Sequence, residues 1–178
     1  PRERHEARGE IRHYLPNRYA GGRAVGLPSD DSQLAFWTLE CALQDGALDP
    51  EHLAEVLATR EIYGIGRAVA EFQANYRKGR RPWYRCGAHS AGNGALMRIA
   101  PVLIPHLRRS SAELWADAAL AASVTHNDAT SIAACVAWLS LLWQLLAMSE
   151  PPDPLWWPET WAGVARRLEG ETRLRSRG

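Results

Sequence analysis

Almost no stretch of this chain alternates apolar and polar residues as a half-buried strand must. Apolar residues recur instead at helical spacing between glycine and proline breaks. From Ser32 to Asp45, Leu34, Trp37 and Cys41, with the offset pair Phe36 and Leu43, mark one helix, and Gly46 supplies its stop. Asp49-Pro50-Glu51 reads as a helix start, with an N-cap acid, Pro at the first helical position and an acid in the first turn. The helix it opens carries Leu53, Val56 and Leu57 on one face. Beyond the break at Gly64-Ile65-Gly66, Ile65, Val69, Phe72 and Tyr76 predict another helix, ending near Gly79. Residues 80–94 hold Pro82 and several Gly and read as a loop. A short helix over Ala95–Ala100 should be limited by Pro101 and Pro105. Ser111 opens a predicted helix to about Ser123, with Glu113 in its first turn. An apolar helix over residues 128–148 follows, stopped by Pro151-Pro152-Asp153-Pro154. A last amphipathic helix covers about Leu155–Leu168, and the Arg-rich stretch from Arg166 to Arg177 reads as a solvated tail. The expected fold is an all-α, compact multi-helix bundle, with no repeat and no internal domain boundary over residues 1–178.

Composition narrows the function classes. The chain has 178 residues, enough to bury a core. Twenty-one Lys and Arg against 20 Asp and Glu leave a net charge of +1, which makes no global case for nucleic acid or an anionic membrane. Cys41, Cys86 and Cys135 are widely spaced and form neither a disulfide framework nor a paired metal site, which points to a reducing, cytoplasmic compartment. Nine of the first 14 residues are charged or His, unlike a signal sequence. Ile132–Met148 is apolar for 17 residues but includes Ser140 and Gln144, and reads as a buried helix rather than a membrane span.

Four polar clusters sit at helix boundaries. In Ser29-Asp30-Asp31-Ser32, two carboxylates and a hydroxyl at an irregular helix entrance are hard oxygen donors suited to Mg²⁺, Mn²⁺ or Ca²⁺; taken alone, the cluster is better explained by ordinary N-capping with acids that the helix dipole favours. Tyr63-Gly64-Ile65-Gly66 leaves backbone amides open at a helix start, where the dipole welcomes an anion such as phosphate, or else forms a simple turn. Ser90-Ala91-Gly92-Asn93-Gly94 is either a tight turn or a loop on which a ligand lies against bare backbone. Thr125-His126-Asn127-Asp128 offers a His that caps, hydrogen-bonds inside the fold, or meets a ligand.

Taken in order, these clusters resemble the ADP-ribosylglycohydrolase family, which includes the dinitrogenase-reductase-activating glycohydrolases. The family's Thr-Asp-Asp-Thr-Gln helix opening looks like Ser29-Asp30-Asp31-Ser32-Gln33, and its glycine-rich helix start looks like Tyr63–Gly66. Its Asn-Gly loop running into an Ala-Met-Arg-hydrophobic-Ala-Pro helix is similar to Gly92–Pro101, and its Thr-His pair to Thr125-His126. The resemblance implies a hydrolase cleaving an N- or O-glycosidic bond between ADP-ribose and a modified protein or small acceptor. It implies a binuclear Mg²⁺ or Mn²⁺ site to which Ser29, Asp30 and Asp31 contribute. It implies a ligand held by Gly64, Gly66, Ser90, Gly92, Asn93 and Gly94, with His126 on the diphosphate or distal ribose. Family members run to roughly twice this length. Their catalytic Glu would fall before Pro1 and their second Asp-x-Asp element well downstream, whereas no Asp follows Asp153. The chain therefore reads as a partial domain, incomplete at both termini and inactive alone. A non-catalytic ADP-ribose-binding or crystallin-like structural relative, and a helical interaction domain supported by eight Trp, are the competing readings.

Overall fold

The computed structural model describes residues 13–79, 81–108 and 112–176, with side chains up to 168. These residues form six α-helices and four 3₁₀ turns, and among them no strand. The helices are α1 (Asp30–Asp45), α2 (Pro50–Thr59), α3 (Arg67–Arg77), α4 (Glu113–Thr125), α5 (Ala129–Leu146) and α6 (Trp156–Ser176). The fold is all-α, as the periodicity predicts.

The caps act where the sequence places them. The Asp49 carboxylate accepts from the amides of Glu51 and His52, with Pro50 at the first position of α2. The Asp128 carboxylate accepts from Thr130 and Ser131 and starts α5. Ser29 caps α1, which begins at Asp30, two residues before the expected Ser32. On α1, Leu34, Thr38 and Cys41 form the buried stripe, and Trp37 packs partly against the core. Phe36 and Leu43 do not join it and stand 69% and 65% exposed. At 100° per residue Phe36 is turned about 200° from Leu34, so the offset pair falls on the far side.

Boundaries differ in several places. Ile65 lies outside α3, whose N-cap is Gly66. The loop at 81–94 contains a 3₁₀ turn, Trp83–Arg85. The expected helix over 95–100 is instead two 3₁₀ turns, Leu96–Arg98 and Ala100–Arg108, which run past Pro101 and through Pro105. Proline forbids the i→i−4 ladder but not a succession of tighter turns. The expected start of α4 at Ser111 lies outside the described residues, and the helix continues past Ser123 to Thr125. α5 runs over Ala129–Leu146, so Met148 lies beyond it. The Arg-rich stretch expected as a tail continues α6 to Ser176.

α1 packs on α2 and on both central 3₁₀ turns, α4 lies against α2, α3 and α5, and α6 packs on α5. Leu34, Leu53, Leu57, Phe72, Ile99, Leu114 and Leu139 are fully buried at the centre. α5 explains its own apolar composition. Ser131, Cys135 and Leu139 form one buried stripe, and Ala133, Ala137 and Leu141 form a second. The stripes lie about 200° apart, so the helix is covered from two sides. Trp138, partly buried against the core, meets Trp161 of α6 with ring centroids 5.5 Å apart. By length and composition this one helix among the described residues could cross a membrane, with a third of its residues buried in the fold. Cys41, Cys86 and Cys135 are buried thiols.

Candidate functional site

A staple made by one side chain brings the first two clusters together. The Gln33 amide nitrogen donates to the carbonyls of Pro28 (3.1 Å) and Tyr63 (3.3 Å), and its oxygen accepts from the Tyr63 amide (3.3 Å). This fixes the entrance of α1 beside the turn before α3. Gly64 adopts φ +80°, and a Cβ there would lie 3.9 Å from Asp30 Oδ1. Gly66 caps α3 with no side-chain bond, and the first turn of α3 carries no acid. Its leading amides are therefore open, at the positive end of the helix dipole.

The other two clusters are fastened to each other by backbone. The Ala88 amide donates to Thr125 O (3.0 Å) and the Asn127 amide to Ala88 O (2.9 Å), an isolated parallel bridge between loop and helix end. Gly87 permits it, because a Cβ there would be driven into the Ser123 carbonyl oxygen. Asn75 donates to Cys86 O (3.1 Å), and Ser131 Oγ to Gly92 O (3.2 Å). The Gly92 amide donates to Ser90 Oγ (3.2 Å), so that amide is used within the loop.

A cleft of about 230 Å³ results, lined by Asp30, Gly66, Arg67, Ala68, Val69, Ser90, Gly92, Asn93, Gly94, Met97 and His126. Four elements distant in sequence thus share one concavity. Gly64 and Ser29 lie next door, lining a larger and mainly apolar cavity of about 760 Å³ with Tyr14, Leu15, Val25, Leu27 and Tyr63. Asp30 lines both. Asp31 lines neither and is exposed.

Electrostatics differ across the cleft. The Asp30 carboxyl is held above its ordinary range by partial burial and by the neighbouring Asp31 charge. Ser29 Oγ accepts from the Ser32 amide at 3.5 Å, so ordinary capping is its role here, with a lone pair to spare. Two carboxylates that repel each other, beside a hydroxyl, form a donor set that fits part of a hard-cation site. Among the described residues no group of three His, Cys, Asp or Glu completes one.

On the opposite wall His126 is only 2% exposed, with Nδ1 3.0 Å from Thr125 Oγ1. Burial and the nearby Arg98 guanidinium push its pKa down to about 4. Its ring packs against Gly94, where a Cβ would lie 2.7 Å from Cε1 and 3.0 Å from Nε2. Arg98 is fully buried, and one of its terminal nitrogens donates to Ala121 O and Thr125 Oγ1, both at 2.8 Å. Gln33, Gly87 and Arg98 are the residues that sequence reasoning passed over. Gln33 and Arg98 stood inside the quoted motifs, but what each touches is set by elements tens of residues away.

A sequence model of the ADP-ribosylglycohydrolase family matches residues 1–176. An uncharacterized protein of Archaeoglobus fulgidus is 32% identical over 134 residues, covering 72% of this chain and 43% of the relative. The chain thus spans less than half the length of that relative. No solved structure matches.

Proposed function

This chain belongs to the ADP-ribosylglycohydrolase family, and from that premise we propose that the protein it represents hydrolyses the N- or O-glycosidic bond joining ADP-ribose to a modified protein or a small acceptor. The observation that carries this reading is the single cleft in which Asp30, the start of α3, the Ser90–Gly94 loop and His126 meet.

Each wall suits one part of such a ligand. The open amides of α3, with Arg67 beside them, match the charge of a diphosphate. The exposed Gly92 and Asn93 leave room for a sugar or base to lie against the loop. The Nε2 edge of His126 offers a contact to a phosphate or hydroxyl oxygen. A carboxylate on the cleft lining, Asp30, suits the positive charge that develops at the anomeric carbon as a glycosidic bond breaks.

Ser29, Asp30 and Asp31 would hold Mg²⁺ or Mn²⁺ as part of a binuclear site. Bound ions would supply Lewis-acid charge to grip the ribose hydroxyls and orient a water. Three protein oxygens are fewer than the six or more donors such ions take, so in this reading other groups complete the coordination. We place the protein in a reducing cytoplasm, a reading supported by its three buried thiols.

The test is release of free ADP-ribose from ADP-ribosyl-arginine and from an ADP-ribosylated serine peptide by the full-length protein with Mg²⁺. Turnover of either substrate, abolished in Asp30→Ala, is the expected result. No release from either, together with no binding of ADP-ribose, overturns the proposal.

A further inference from the structure

Arg98 is a fully buried cation, and no carboxylate pairs with it among the described residues. Among the described residues its Nε and Nη1 have no hydrogen-bond partner, and its Nη2 spends both of its hydrogens on Ala121 O and Thr125 Oγ1. Burying an uncompensated guanidinium is costly. Packing alone would be served better by an aliphatic residue of similar length. The chain of hydrogen bonds leading from this group to the cleft shows what it does.

A guanidinium only donates, so Thr125 Oγ1 accepts from Arg98. The Thr125 hydroxyl then has its own proton to give. The acceptor within reach among the described residues is His126 Nδ1, at 3.0 Å. An Nδ1–H here would give Thr125 Oγ1 a second donor and leave the buried hydroxyl proton unpaired. The arrangement that satisfies both groups has Nδ1 presenting its lone pair and a neutral ring carrying its proton on Nε2. That atom faces Gly94 and Gly92 on the lining of the cleft, with no hydrogen-bond partner among the described residues.

We propose that Arg98 and Thr125 are positioning residues that lock His126 as the neutral imidazole protonated at Nε2, giving the cleft a fixed hydrogen-bond donor rather than a cationic acid. Protonating Nδ1 would break the bond from Thr125 and set a second positive charge beside Arg98. The other charges around the ring are Asp128 at the start of α5, and Asp30 and Arg67 across the cleft on α1 and α3. Burial and Arg98 outweigh Asp128, which is why the ring resists protonation to about 4. A neutral donor selects for an oxygen acceptor and works unchanged across the physiological pH range. What that donor meets, a phosphate or ribose oxygen, rests on the ADP-ribose reading; the tautomer does not.

The experiment is long-range ¹H–¹⁵N correlation of the histidine rings in the ligand-free full-length protein at pH 7, with His126 assigned by its loss in His126→Gln. Expected is the Nε2-protonated pattern, retained in Thr125→Ser and lost to a mixture with the Nδ1-protonated form in Thr125→Val. ADP-ribose affinity, read by calorimetry, should fall roughly tenfold in Thr125→Val and recover in Thr125→Ser, about the worth of one hydrogen bond. A wild-type ring protonated at Nδ1 or at both nitrogens overturns the inference, as does an unchanged tautomer in Thr125→Val. If that variant does not fold, the wild-type and Thr125→Ser spectra decide alone. Failure of ADP-ribose to bind the wild type counts against the proposed function and leaves the tautomer result standing.

Discussion

The two walls of the cleft are built on opposite principles. At the His126 wall every anchoring contact is protein to protein. Loop and helix end share a backbone bridge, Ser131 holds Gly92 and Arg98 holds Thr125; the ring, the Ala88 backbone and Arg98 are almost completely buried. At the Asp30 wall two like charges sit in the first turn of α1, one exposed and one half-buried, capped by a long hydrogen bond from the Ser32 amide to Ser29. The first wall is finished before any ligand arrives. The second holds two like charges met by the backbone and the dipole at the start of α1, with no cationic side chain pairing them among the described residues.

That contrast can be broken most forcefully from the finished side. Gly87→Ala should destabilise the fold by about 3 kcal/mol or more, because the added methyl meets the backbone of Ser123 and Asn127, which no side-chain rotation relieves. Urea denaturation measures it, and a shift under 1 kcal/mol would mean the bridge is far looser than it looks.

Acid probes the same wall. With the folded pKa of His126 depressed from 6.5 to about 4, the unfolded chain binds the proton first as pH falls. The contribution is intact above pH 6.5 and lost progressively down to about 4. It amounts to something on the order of 3 kcal/mol. Stability against pH for the wild type and for His126→Gln should diverge across that window. Parallel curves would show that the ring is not buried as a neutral group.

Smaller effects are expected on the unfinished side. Gly64→Ala forces a side chain into the left-handed region, at a cost of about 1–2 kcal/mol, with no clash to add because the nearest atom is 3.9 Å away. A thermal melt resolves this, and a neutral result would imply that the turn relaxes freely. Smallest of all, Asp31→Asn should change stability by less than about 0.5 kcal/mol, since lost helix-dipole attraction is offset by relief of repulsion with Asp30. In the full-length protein the same change should sharply weaken Mg²⁺ binding measured by calorimetry. A large stability loss with unchanged Mg²⁺ affinity would make this wall structural.

The two walls were not equally legible in sequence. Ser29-Asp30-Asp31 is legible as a helix start, since a hydroxyl and adjacent acids before a periodic apolar run are local capping signals. His126 was visible as a polar residue between apolar helices, but not the direction of its ring or its proton. Both depend on Arg98, twenty-eight residues earlier, and on glycines whose value lies in what they avoid touching. Pro101 and Pro105 misled in the opposite sense. They do exclude an α-helix there, yet the chain turns on to Arg108 because 3₁₀ bonding and packing against α1 tolerate them.

What the sequence determined by itself is what local rules govern. Side-chain periodicity, caps and breakers act within a few residues, so the all-α class and the Asp49 helix start follow from spacing and local residue type. The order of the four polar clusters also identified the family. Only the tertiary structure decided which clusters face one another. It set Asp30 across a cleft from His126, moved Ser29 and Gly64 into the adjoining cavity and left Asp31 outside both. The reason is that these relations are fixed by contacts between residues some thirty positions apart, Gln33 with Tyr63 and Arg98 with Thr125, and no periodicity or propensity encodes which distant backbone a polar side chain will find.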